Sequence, residues 1–207
     1  QDGDPNLTIT EANGVVTIVY KGTTYIIPKL PLMSYSMTFT TTKNLGDSIR
    51  LKLDAAEVDK ADVWIDLNNN GKKDSGEGNV TFDNWVFYTL GAQNVTIYGK
   101  VTTLNCSKNN LTALDVTKNP VLQALTCSHN SLSMLDVSQN TELMYLYSHL
   151  NQIKKAAMDN LVNTIVDRTG NTPGKYYLYY GPSDENEFEA SHASALGAKN
   201  WQKGGLG

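Results

Sequence analysis

The chain has 207 residues, long enough for two domains, and its 40% hydrophobic content is enough for real cores. Its 17 Lys and Arg against 21 Asp and Glu leave a net charge of −4, which gives no basic footprint for nucleic acid. No apolar run approaches the ~20 residues needed to span a bilayer. The opening Gln1-Asp-Gly-Asp-Pro-Asn6 reads as a mature or trimmed start without a signal peptide.

From about residue 7 to 100 the chain reads as short strands. Val15–Tyr20, the pair Lys21-Gly22, and Thr23–Ile27 predict a hairpin with a Gly turn. Pro28-x-x-Pro31 separates this hairpin from the strands after it. Met33–Thr41 alternates apolar and polar residues, as does Ser48–Leu53, and both predict half-buried strands. Asp62–Asp66 and Asn84–Leu90 continue the series. Strands this short and this evenly spaced predict a small sandwich-like β domain over residues 1–94.

Residues 95–207 read differently, because a motif recurs there every 21 residues. Val101-x-x-Leu104-x-Cys106-x-x-Asn109-x-Leu111 is followed by Leu122-x-x-Leu125-x-Cys127-x-x-Asn130-x-Leu132. Leu143-x-x-Leu146-x-Ser148-x-x-Asn151-x-Ile153 is the third copy. All fit L-x-x-L-x-L-x-x-N-x-L. Leu104 and Cys106 lie two apart, so on a strand both face the core. Asn109, Asn130 and Asn151 are placed to satisfy backbone groups of their own and adjacent turns as an internal ladder. Leu111-x-x-Leu114-x-Val116-x-x-Asn119 and Leu132-x-x-Leu135-x-Val137-x-x-Asn140 echo the motif on the return side. Cys106 and Cys127 fill equivalent slots, either as stacked free thiols or, with facing sulfurs, as a disulfide. Ala156–Val166 predicts a helix, Lys175–Tyr180 a strand, and Ser191–Lys199 a short helix ending near Trp201: together, a terminal cap.

The fold class expected is therefore α+β, mainly β: an N-terminal β-sandwich-like domain, then a short leucine-rich-repeat solenoid with a C-terminal strand and helix cap. The repeats, the loop beginning at Asp66 and the closing Ala198-Lys-Asn-Trp201 resemble the leucine-rich-repeat surface proteins of Gram-negative gut anaerobes, which are distantly similar to the internalins. The resemblance implies a non-enzymatic binding protein, secreted or anchored at the outer membrane.

Two sets of residues are candidates for function. Asp66-Leu-Asn68-Asn-Asn70-Gly71-Lys72-Lys-Asp74-Ser-Gly-Glu77 fits D-x-[DN]-x-[DN]-G-x₅-E, a Ca²⁺ loop. Asp66, Asn68 and Asn70 supply oxygens, Lys72 holds the position where a backbone carbonyl serves, Asp74 adds a ligand directly or through water, and Glu77 binds bidentately. A strand precedes this loop, so it is not an EF-hand, and Asn-Asn-Asn-Gly is also turn chemistry that needs no ion. The second set lies between the core positions of the repeats and faces outward. Asn105, Thr126 and Tyr147 form one column, and Ser107, Ser128 and His149 another. A third is Thr103, Ala124 and Tyr145, with Tyr177 and Tyr179 extending the face. Its aromatic end, Tyr145, Tyr147, His149, Tyr177 and Tyr179, suits a protein or glycan ligand. The alternatives are contacts made by the β domain, as in a carbohydrate-binding accessory, or a structural spacer. No nucleophile elbow, H-E-x-x-H or phosphate-cradling loop is present, and the acidic run Asp184–Glu189 reads as a solvated surface. The chain is expected to act as a monomer without enzymatic activity.

Overall fold

The structure, a computed structural model, describes residues 6–12, 15–28 and 35–205. The chain divides into two compact units, Gln1–Ser34 and Tyr35–Gly207. The first holds β1 (Leu7–Ala12), β2 (Val15–Tyr20) and β3 (Thr23–Pro28), antiparallel in the order β1-β2-β3. Lys21 and Gly22 both have positive φ, 48° and 79°, between the paired Tyr20 and Thr23. This is the primed turn whose twist matches a two-residue hairpin, as the Lys21-Gly22 pair predicted. Met33, Ser34 and Pro31 lie outside the described residues.

The second unit is built on two sheets. One has the order β10-β4-β8-β6, all antiparallel: β4 (Ser36–Thr41), β6 (Trp64–Asp66), β8 (Asn94–Tyr98) and β10 (Leu111–Asp115). The other has seven strands in the order β14-β13-β12-β11-β9-β5-β7. These are β5 (Ser48–Asp54), β7 (Trp85–Thr89), β9 (Thr103–Asn105), β11 (Ala124–Thr126), β12 (Tyr145–Tyr147), β13 (Gly174–Tyr177) and β14 (Trp201–Lys203). The alternation of β5 buries Ile49, Leu51 and Leu53. The helix α1 (Lys155–Thr164) buries Met158, Leu161 and Val162, three and four residues apart as one helical face requires. A second helix, α2 (Ala190–Ala198), follows β13.

The repeat positions fall in register. Leu104, Leu125, Leu146 and Tyr176 lie side by side on parallel β9, β11, β12 and β13, all buried. The Asn ladder ties the repeats to each other and to the elements on either side. Asn109 accepts from the Arg50 N–H at 2.9 Å and donates to the Arg50 carbonyl at 2.7 Å, so β5 occupies the place of a preceding repeat. Asn130 accepts from the N–H groups of Asn109 and Leu111, and Asn151 accepts from Leu132. Asn186 adds a rung outside the 21-residue spacing, accepting from Ile153 and donating to Ser148 and Leu178.

The expected architecture needs correction. The repeats do not close into a leucine-rich-repeat solenoid standing after a separate β-sandwich-like domain. Their strands belong to a mixed seven-stranded sheet that continues antiparallel into β5 and β7. The return segment of the first copy, β10, pairs with β4 in the facing sheet, while Leu132–Asn140 forms no strand. The result is a mainly β, sandwich-like arrangement with few helices. The physical reason is the open side of the first repeat: an apolar row and an Asn with free amide groups need a partner, and β5 supplies both. One buried cluster accordingly runs from Met37, Phe39 and Ile65 through Leu104 and Leu125 to Leu161 and Trp201. Trp201 is not the end of a helix but the start of the edge strand β14. It packs so closely on Gly174 that a Cβ there would lie 2.5 Å from the indole, which explains the glycine.

Candidate ligand-binding face and cation loop

On β9, β11 and β12 the residues flanking the buried leucines point away from the core, and in-register pairing lines them up. Thr103, Ala124, Tyr145 and Lys175 form one row, and Asn105, Thr126, Tyr147 and Tyr177 the next. Asn105 and Thr126 are half-buried and small, so the middle of this face is a low polar floor. Toward β13 it turns aromatic. Tyr145 is 45% exposed and Tyr180 51%. Tyr147 meets Tyr177 edge-on at 6.3 Å between centroids. Tyr177 in turn meets His149 edge-on at 4.7 Å, and Tyr180 stacks on His149 at 5.9 Å.

One of the expected members differs. His149 is buried, only 4% exposed, and serves as the post around which Tyr177, Tyr180 and His129 are arranged. Burial, and then the neighbouring His129, lowers its pKa, so the ring is held neutral. Tyr179 makes no ring contact among the described residues, whereas Tyr180 does. Although β13 ends at Tyr177, the alternation carries on through buried Leu178 and half-buried Tyr179, which lies on the side opposite Leu178. Asp184 fixes this corner, accepting from the N–H groups of Leu150 and Tyr180 at 2.8 Å and of Asn186 at 2.9 Å. It is a buried fastening and not part of a solvated run.

The same face continues past β9. Lys52 and Asp54 pair with Asn105 and Thr103, and Arg50 and Lys52 pair with Phe87 and Trp85 on the edge strand β7. Trp85 is 39% exposed, Phe87 68%, and the Arg50 guanidinium lies 3.8 Å from the Trp85 ring centroid. Reading residues 1–94 as a separate domain hid this end of the face. The signal was present in the alternation of Ser48-Ile-Arg-Leu-Lys-Leu53, which places Arg50 and Lys52 opposite the buried side.

The Asp66–Glu77 loop leaves β6 and is tightly organised by its own oxygens. Buried Asp66 accepts from Asn70 N–H at 3.1 Å and Gly71 N–H at 2.8 Å. Asn68 accepts from Asn70 N–H, and Asn70 from Lys72 N–H. Buried Glu77 accepts from Leu67 and Asp74 N–H groups, both at 2.9 Å. The Asn68 and Asn70 amides donate to Asp74 Oδ2 at 2.8 and 2.6 Å and, with Lys72 nearby, hold the Asp74 pKa down. No three His, Cys, Asp or Glu side chains converge as a metal site among the described residues. The donor set nevertheless fits a hard cation in kind: carboxylate oxygens of Asp66, Asp74 and Glu77, with amide oxygens of Asn68 and Asn70 once those amides rotate. In the structure both amides donate to Asp74 instead.

A cavity of about 410 Å³ lies elsewhere, over the paired strands β4 and β10, and is lined by Thr38, Thr40, Ala113 and Met134 among others. None of the expected ligand or cation residues lines it. No family model matches the chain, and no curated protein or solved structure matches it either. Among the described residues no helix is long and apolar enough to cross a membrane. Cys106 and Cys127 are buried and unpaired; burial pushes the Cys106 thiol up to about 12 and the Cys127 thiol well above its ordinary value.

Proposed function

We propose that the chain is a non-enzymatic binding protein of the cell surface or the secreted fraction. It takes a protein or glycan ligand on the outward face of the seven-stranded sheet. The observation that carries this reading is the ring cluster Tyr145, Tyr147, Tyr177 and Tyr180. It stays open to solvent while ring contacts among Tyr147, Tyr177, Tyr180 and buried His149 hold three of its members in place. Rings already fixed lose little freedom when a ligand arrives, which favours binding. The test is a glycan array with a surface-protein pull-down, repeated with Tyr147→Ala. The substitution is expected to weaken binding by ~1–3 kcal/mol, as for a central aromatic anchor. Unchanged affinity in Tyr147→Ala would move the site off this face.

A second reading concerns the Asp66–Glu77 loop, which we propose holds a structural Ca²⁺. Its support is the loop's set of oxygen donors, with the carboxylates of Asp66, Asp74 and Glu77 and the amides of Asn68 and Asn70 held in one turn. This site would stabilise the fold and needs no part in ligand recognition.

A further inference from the structure

The chain is acidic overall, yet the outward face of the seven-stranded sheet is cationic. Arg50, Lys52 and Lys175 project from it, and Lys203 Nζ lies 5.9 Å from the Tyr177 centroid. Its acids are engaged: Asp83 pairs with Lys52 at 2.8 Å, which neutralises that lysine as well, and Asp54 lies 3.8 Å from Lys60. The unpaired cations of the face are Arg50, Lys175 and Lys203, which form no salt bridge among the described residues. Arg50 is the most telling. Its guanidinium donates to no acceptor among the described residues, and its Nε is buried without a partner. The indole holds the guanidinium in place, and its buried Nε–H is left without an acceptor that an anion could supply.

We infer that this face binds an extended acidic oligosaccharide, a chain bearing uronic acid carboxylates, with Arg50 taking a carboxylate at the β7 end. This rests on the binding-face reading above and names its ligand class. Charge complementarity supplies the first argument. The second is shape. Exposed rings stand at both ends, Trp85 and Phe87 on one side and Tyr145 and Tyr180 on the other. Between them lies the floor of Thr103, Asn105, Ala124 and Thr126. From β7 to β12 the face crosses four strand spacings, about 19 Å. Rings stack on the apolar faces of pyranoses, while hydroxyl and amide groups on the floor bond sugar hydroxyls. A protein partner would want a pocket for an anchoring side chain; the cavity of about 410 Å³ lies over β4 and β10 in the other sheet instead.

The test is calorimetric titration of the full chain with oligogalacturonate, oligoalginate and hyaluronan oligomers. Methyl-esterified oligogalacturonate serves as a charge-free control and poly-glutamate as an acidic peptide control. At least one acidic oligomer is expected to bind, about tenfold more tightly than a neutralised form, with affinity falling as salt rises. Arg50→Gln is expected to cause a similar loss, Trp85→Ala a comparable one, and Arg50→Lys a partial one; each variant's thermal midpoint checks folding. Three outcomes would overturn the inference: no acidic oligomer binding, equal affinity for the methyl ester, or poly-glutamate binding as well as the sugars. A neutral glycan or a protein whose binding falls with Tyr147→Ala but ignores Arg50→Gln would retain the binding face and remove its acidic ligand. Loss of neither would end both readings.

Discussion

Ser148 stands where Cys106 and Cys127 stand in the two preceding copies, and it fits the slot less well. Its Oγ is buried without a hydrogen-bond partner, so folding strips water from a hydroxyl and returns nothing. Ser148→Cys is therefore expected to raise stability by about 1–2 kcal/mol, and Cys127→Ser to lower it by about 1–3 kcal/mol, read from urea unfolding. A Ser148→Cys variant no more stable than the parent would mean the hydroxyl is satisfied in solution. The repeat pattern made the Cys slots legible, because two residues on one strand face share one environment. The same pattern misplaced His149, whose backbone lies beyond the last residue of β12, beside Leu150 at φ 56°. That placement has a pH consequence. The folded pKa of His149 is lowered by burial, while the unfolded chain takes up its proton near the ordinary value of about 6.5. Below that value the unfolded state binds more protons, so stability falls as pH drops from the ordinary value toward the lowered one. Above it the group contributes no slope. His149→Gln is expected to flatten the thermal midpoint's dependence on pH below about 6.5; an unchanged slope would show that another group titrates there.

At the scale of elements, the loop after β6 was the most legible feature, because its spacing encodes both a turn and a set of oxygens. The structure supplies the turn: Asn69 and Gly71 have positive φ, 56° and 73°, and Asp66 and Glu77 tie the backbone. A bound Ca²⁺ would add stability by selecting the folded state. Millimolar Ca²⁺ is expected to raise the thermal midpoint, and Glu77→Gln to abolish the rise, since one carboxylate charge and the bidentate ligand are lost together. No thermal shift and no heat of binding in the parent would leave the self-bonded turn as the whole explanation. The central strand β8 was harder to read. Its Val95, Thr96 and Ile97 are buried in succession, so the alternation that marks a half-buried strand is lost. The short β14 was also missed, its Trp201 reading as the close of a helix, because a three-residue strand carries no period of its own.

For the whole molecule, what the sequence concealed was a partnership. Repeats announce themselves by self-similarity, and β5 resembles none of them, yet it pairs with β9 from Lys52 to Asp54 and closes the Asn ladder through Arg50. Local pattern cannot reveal which strand covers an open edge, since the complementarity lies in backbone groups that every residue carries. Strands from both sides of residue 94 thus share both sheets and one apolar cluster. Such a core is expected to unfold as one cooperative unit. The three tryptophans allow this to be measured, because Trp64 and Trp85 lie before residue 94 and Trp201 near the far end of the repeats. A Trp64→Phe/Trp85→Phe variant reports only on Trp201, and a Trp201→Phe variant only on the first two. Leu125→Ala, introduced into each reporter, is expected to cost about 2–5 kcal/mol because it empties a fully buried site. If the core is continuous, that loss appears in both reporters, so the Leu125→Ala shift measured by Trp64 and Trp85 matches the shift measured by Trp201. A shift confined to the Trp201 reporter, or two separate midpoints in urea, would show that residues 1–94 and 95–207 unfold as independent domains in spite of the sheets they share.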